Sequence, residues 1–201
     1  MRENPVEDRR TDIIYEDDLL VVCTKPRGVL ACRDASGKQS MDDLLEPRKV
    51  YPVHRLDKEV TGLMVFAKDS ATAAFLSAPD ALIKEYRATC EGRPAEKEGY
   101  LEDLLFHDRN KNKTYVVKRK RNGVKPAKLH YTVIEEREGE TLLHVRLFTG
   151  RTHQIRIQFA SRGLPLKGDK KYGAQFGGSV ALQSYRLTIR HPKGEIMTFS
   201  L

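Results

Sequence analysis

The apolar residues of this chain come in short runs, none longer than the five of residues 19–23, and many of them alternate with polar neighbours. Alternation puts every second side chain on one face of a strand, whereas a helix needs apolar residues at three- and four-residue spacing. A chain patterned this way is confined to sheets with a few short helices. The short runs also exclude a membrane-spanning helix, which needs about 20 apolar residues.

Read along the chain, residues 12–15 and 19–23 are strands around the acidic turn Glu16-Asp17-Asp18. Lys25-Pro26-Arg27-Gly28 interrupts the pattern, because Pro removes a ladder donor and Gly permits a sharp turn. Ser40 caps a short helix over 41–45 that stops before Pro47. The continuous apolar stretch 62–67 suits an interior strand. Ser70 caps a helix running to about Ser77, with Ala71, Ala74 and Phe75 as its apolar stripe.

Residues 85–90 form a strand with Tyr86, Ala88 and Cys90 on one face. Residues 114–117 and 129–134 are expected to pair as a hairpin that turns near Asn122-Gly123. Residues 142–148 alternate on both faces, with His144 and Arg146 opposite Leu143, Val145 and Leu147. Residues 152–162 make a helix closed by Gly163, and 182–190 with 195–200 close the chain as a hairpin. No repeat, linker or regular βα alternation divides the sequence. The expected fold is therefore one α+β domain over 12–201, a mixed, largely antiparallel sheet with a few flanking helices, after a short tail of residues 1–11.

The net charge of +8 is confined to one segment. Residues 107–130 hold nine cations and a single acid, Asp108, so that 9 − 1 = +8. The rest of the chain carries 27 basic and 27 acidic groups, which cancel. Charge concentrated in one element points to a polyanion contact made there, or to a solvated basic hairpin. Cys23, Cys32 and Cys90 have neither disulfide nor metal-ligand spacing, so they read as buried thiols of a reducing compartment. The charged first ten residues offer no apolar signal core, and a cytoplasmic location is expected.

Two stretches place polar groups where a structural role alone explains them poorly. His54-Arg55-Leu56-Asp57 lies just before the apolar strand at 62–67, at a sheet end, where sites tend to form; a loop with a capping Asp is the plainer alternative. Gly150-Arg151-Thr152-His153-Gln154-Ile155-Arg156 turns out of a strand into a helix start crowded with donors, an anion site. That anion can be a carboxylate of the chain or a phosphate of a ligand. Arg156, flanked by Ile155 and Ile157, is partly enclosed and needs a carboxylate, for which Asp57 is a candidate.

These segments, in this order, resemble the pseudouridine synthases of the RluA type. The resemblance covers nearly the whole chain: residues 13–28 with their Lys-Pro turn, H-R-L-D at 54–57 with Gly62 five residues on, Lys84-Glu85-Tyr86, G-R-T-H-Q-I-R at 150–156, the stretch 163–169 with Tyr172-Gly173, and 187–199. Four residues depart from the usual pattern: Thr24, Val60, Thr61 and Gln183. The resemblance is to a catalytic domain without the additional N-terminal S4-like RNA-binding module of many relatives.

The resemblance implies an RNA-modifying isomerase that uses neither metal nor organic cofactor and acts on ribosomal or transfer RNA as a monomer. It assigns Asp57 as the catalytic carboxylate, acting on sugar or base directly or as a base toward a ribose proton. Arg156 becomes its charge partner, which holds it ionised against desolvation. Tyr86 is the aromatic that stacks on the target base, and Arg55 fills the space that a flipped base vacates. His54 and His153 keep structural hydrogen-bonding roles. RNA contacts are expected from Arg151 and from Lys118, Arg119, Lys120 and Arg121 in the basic segment. The competing possibilities are a silent RNA-binding protein on the same scaffold and a hydrolase using Asp57 with His153.

Overall fold

The computed structural model describes residues 10–201. Its elements in chain order are β1 (Ile13–Glu16), β2 (Leu20–Lys25), α1 (Met41–Leu44), β3 (Tyr51–Pro52), β4 (Thr61–Ala67), α2 (Ser70–Leu76), β5 (Leu82–Glu91), β6 (Glu98–Asp108), β7 (Lys113–Val117) and β8 (Val124–Arg137). They continue with β9 (Glu140–Leu147), α3 (Gln154–Ala160), a 3-10 turn at Lys170–Tyr172, β10 (Leu182–Arg190) and β11 (Ile196–Ser200). Strands thus dominate over three short helices, which is the α+β class expected. The chain groups into two compact units, residues 10–82 with 184–201, and residues 83–183.

In the first unit the strand order is β1-β2-β4-β10, with β3 against β4 and β11 against β10. The pairs β1/β2, β2/β4, β3/β4 and β10/β11 are antiparallel. Strand β4 is apolar almost throughout because it is buried on both faces. Leu20, Val22, Leu63, Val65, Leu76, Leu187 and Ile189 meet in one core cluster, each excluded from water. Burial of that kind stabilises by about 1.5–3 kcal/mol per side chain. Gly62 opens β4 with φ +111, and a Cβ there would lie 2.1 Å from the Ser184 carbonyl oxygen on β10. No other residue fits between these two backbones.

Helix α1 starts as expected: Ser40 and Asp43 form a reciprocal capping box. Helix α2 differs. Asp69, not Ser70, caps it by accepting from the Thr72 N–H at 2.8 Å. Thr72 and Leu76 face inward while Ala71, Ala74 and Phe75 stay in water. One position along a helix is a turn of about 100°, so Leu76 packing into the core cluster carries Phe75 away from it.

The second unit is a five-stranded antiparallel sheet in the order β5-β9-β8-β6-β7. The expected hairpin of residues 114–117 with 129–134 does not form. Strands β7 and β8 flank β6 instead, with Phe106 opposite Tyr115 on one side and Leu101 opposite Leu129 on the other. Strand β6 has no signal in the sequence, because its Leu-Glu-Asp-Leu-Leu run pairs apolar with acidic residues and shows neither helix nor strand period. In the sheet, Leu101 and Leu105 point inward from it and Tyr100 points out. Helix α3 covers the inner face through Phe159, edge-on to Tyr131, and through Ile157 against Leu105, Ala127 and Tyr172.

Candidate active site

Asp57 sits in a tight turn at the end of the first unit's sheet, immediately before β4. The Val60 N–H donates to the Asp57 carbonyl oxygen and closes the turn. The turn is pinned from the adjacent Lys-Pro segment: the Gly28 N–H donates to the Lys58 carbonyl. Lys25, 1% exposed, donates from Nζ to the carbonyls of Pro26, Val29 and Lys58 at 3.0, 2.8 and 3.2 Å. Leu56 is buried beneath the turn. His54 serves the fold, its Nε2 accepting the Val65 N–H at 3.2 Å. Arg55 is exposed and Asp57 half-buried beside it.

In the sequence Lys25 is only part of a turn, and the structure makes it the ammonium that organises the Asp57 loop. Its side chain joins three carbonyl groups, which no strand periodicity announces. Burial pushes its pKa down to about 8, and the Asp57 and Glu59 charges oppose that shift. Between pH 8 and the unfolded value of 10.5 the unfolded chain binds more protons, so stability from this group rises with pH across that window. Relative to Lys25→Met, the wild-type protein should therefore gain about 3 kcal/mol between pH 7 and 11. Urea unfolding of both proteins at each pH measures the gain, and a constant difference between them would dismiss it.

The second unit carries the other two expected catalytic residues. Tyr86 is buried on β5, opposite Val145 on β9. Arg156 on α3 is 4% exposed and holds a two-pronged ion pair with Asp169, Nε to Oδ2 at 2.6 Å and Nη2 to Oδ1 at 2.8 Å. Asp169, 1% exposed, falls within the matching stretch 163–169, which by itself assigns it no task. The signal that finds it is the neighbouring Gly168: at φ +77, a Cβ there would stand 2.2 Å from the Ser179 carbonyl oxygen, so the backbone is pressed tight just where the carboxylate enters.

The ring of Tyr172 supports the same guanidinium, 5.2 Å from ring centroid to Cζ. Its hydroxyl accepts from the Thr114 N–H at 2.8 Å and shares a hydrogen bond of 2.8 Å with His153 Nδ1. His153 takes the left-handed conformation, φ 55, and so α3 begins at Gln154 rather than at residue 152. Several donors at the helix start are engaged internally. Gln154 Oε1 accepts from the Arg151 N–H at 3.0 Å and the Thr149 hydroxyl at 2.8 Å, and the Arg151 side chain donates to the Pro126 carbonyl. Of the two anions considered for this segment, Arg156 holds a carboxylate.

Lys118, Arg119, Lys120 and Arg121 are all exposed in the connection from β7 to β8, and Arg121 lies 4.9 Å over the Phe106 ring. Among the described residues no cluster of His, Cys, Asp and Glu is arranged to hold a metal, and no helix is long and apolar enough to cross a membrane.

Residues 19–161 match the family model described as RNA pseudouridylate synthase. The chain is 34% identical to ribosomal large subunit pseudouridine synthase D of Neisseria meningitidis serogroup A, over 94% of its own length and 57% of that protein's. It is 33% identical to the uncharacterized RNA pseudouridine synthase YhcT of Bacillus subtilis, covering 88% of this chain and 61% of the relative. The chain thus spans little more than half the length of these relatives. Two human structures share the fold: RNA pseudouridylate synthase domain containing 4, with TM-score 0.78 and 21% identity over 94% of this chain and 87% of that one, and domain containing 1, with TM-score 0.79 and 20% identity over 99% and 86%.

Proposed function

The chain belongs to the RNA pseudouridylate synthase family, and from that premise we propose that it isomerises uridine to pseudouridine in RNA. The C1′–N1 glycosidic bond breaks, the base turns, and it is rejoined through C5. The observation that carries this reading is Asp57, half-buried in a turn that Lys25 and Gly28 hold rigidly at a sheet end. A positioned carboxylate there suits a step that needs a fixed negative charge sheltered from bulk water.

In this reading residues 12–201 act as one catalytic domain. Asp57 performs the chemistry with Arg156 as a further catalytic residue, Tyr86 stacks on the target base, and Arg55 supports the flipped conformation. The names of the relatives from N. meningitidis and other bacteria support large-subunit ribosomal RNA as the substrate class. The test is release of label from C5 of uridine in ribosomal RNA. Label should leave while the RNA keeps its length and mass; cleaved RNA or free base would identify a hydrolase, and bound but unaltered RNA a silent binder.

Lys118 to Arg121, with Arg151, supply the grip on phosphate. If six of the nine cations of residues 107–130 meet phosphates, log K falls with log salt at a slope of about −4 for single-stranded RNA. Replacing Lys118, Arg119, Lys120 and Arg121 by Gln should flatten the slope by about 3 and weaken binding. Turnover at saturating RNA should stay near wild type. An unchanged salt slope would return the segment to a solvated loop.

A further inference from the structure

The outer face of the second unit's sheet, opposite α3, carries aromatic rings that an ordinary water-facing sheet does not. Tyr100 on β6 is 60% exposed and Phe148, just after β9, is 48% exposed. Their ring centroids are 6.0 Å apart, and the His130 ring on β8 lies 4.7 Å from that of Tyr100. Cations sit against the same rings. Lys128 Nζ is 4.7 Å from the Tyr100 centroid and 5.9 Å from that of Phe148, and the Arg146 guanidinium is 5.4 Å from Phe148.

Register explains how the cluster forms. Tyr100 is directly opposite His130, and His130 directly opposite Arg146, so one row crosses three strands on one face. Glu102 holds Lys128 in place by an ion pair of 2.7 Å. Further along β6 on the same face, Phe106 lies under Arg121 of the basic segment. Phe106 is six steps along the strand from Tyr100, a span of about 20 Å.

We infer that this face is a second RNA-binding surface, a stacking platform for unpaired nucleotides outside the target uridine. Every base offers a π-face to Tyr100, Phe148 and His130 and to the guanidinium planes of Arg146 and Arg121 that lie over Phe148 and Phe106, while Lys128 over the Tyr100 ring adds charge for a sugar-phosphate backbone. Its polarity suits a polyanion, because it borders the one segment that carries the chain's net charge. The same charge disfavours a second copy of this chain as occupant. A two-fold dimer would set the +8 segments of both copies beside one joint. The inference deepens the proposed function, since it rests on RNA being the substrate.

A fluorescent 12-mer of adenylate tests it, because it presents stacking bases and no uridine. The wild-type protein should bind it, and Tyr100→Ala and Phe148→Ala should each weaken binding by about 5- to 100-fold. Neither should change the salt slope, since a stacked base releases no counterion, whereas Lys128→Ala and Arg146→Ala should each flatten it by about 0.7. Tyr100→Phe keeps the ring and should bind like wild type, which separates stacking from a folding defect. Absence of wild-type binding, or unchanged binding in both alanine variants, would overturn the platform. So would a concentration-dependent dimer that Tyr100→Ala dissolves. A protein that forms no pseudouridine yet binds adenylate through Tyr100 would retain the platform and lose the enzymatic reading; the reverse result would do the opposite.

Discussion

Asp169→Ala is expected to lower the unfolding free energy by about 3–5 kcal/mol, the range for removing one partner of a buried ion pair. The guanidinium of Arg156, 4% exposed in the wild-type protein, loses the carboxylate that receives two of its donors. Coulomb attraction in this pair offsets the desolvation of both ions, so removing either member exposes the cost of the other. Asp169→Asn should be nearly as damaging, because it keeps the volume and removes the charge. Arg156→Met with Asp169→Leu should recover most of the stability, since well-packed apolar replacements of buried ion pairs are often neutral or better. That double variant should nonetheless show no label release. Chemical denaturation with a parallel activity assay decides the matter, and a stable Asp169→Ala protein would show the pair to be dispensable for folding.

The other large effect falls on chemistry. Asp57→Asn preserves shape at a half-buried position, and backbone groups of Asp57, Lys58 and Val60 tie the turn it occupies. The variant should fold and bind RNA as wild type does. Release of label from C5 should fall by at least about 10²–10⁴-fold, the range expected when a positioned acid–base group is lost. If the carboxylate bonds covalently to sugar or base, turnover should disappear altogether. Near-normal release from a folded Asp57→Asn protein would remove Asp57 from the reaction and with it the central role assigned above.

Much of the framework was legible before any coordinates. Strands at 62–67, 85–90, 142–148 and 182–190 follow from apolar alternation or continuity, and each is present with ends within three residues of those expected. The capped helix α1 and the closing turn at His191 were visible through their Ser, Pro and Gly. Local chemistry was enough in those places because the decisive contact lies within a few residues. Strand β6 was not legible. Its pairs of leucines and acids make sense only when β7 and β8 stand on either side and one face is covered by α3.

The candidate site divides in the same way. H-R-L-D, the buried-strand glycine and the G-R-T-H-Q-I-R segment were recognisable as ordered motifs, and Asp57, Tyr86 and Arg156 were named from them. The tasks of Lys25, Asp169 and Tyr172 were not. Lys25 reaches Lys58, 33 residues away; Arg156 meets Asp169 over 13; Tyr172 receives the Thr114 N–H over 58. Sequence alone determined that this is a strand-built chain with one basic segment and a carboxylate at a sheet end, because periodicity, charge and turn residues act locally. Only the tertiary structure decided which buried charges balance one another and which aromatic rings remain in water. Those outcomes depend on strand order and register, where a one-residue slip turns every side chain to the opposite face.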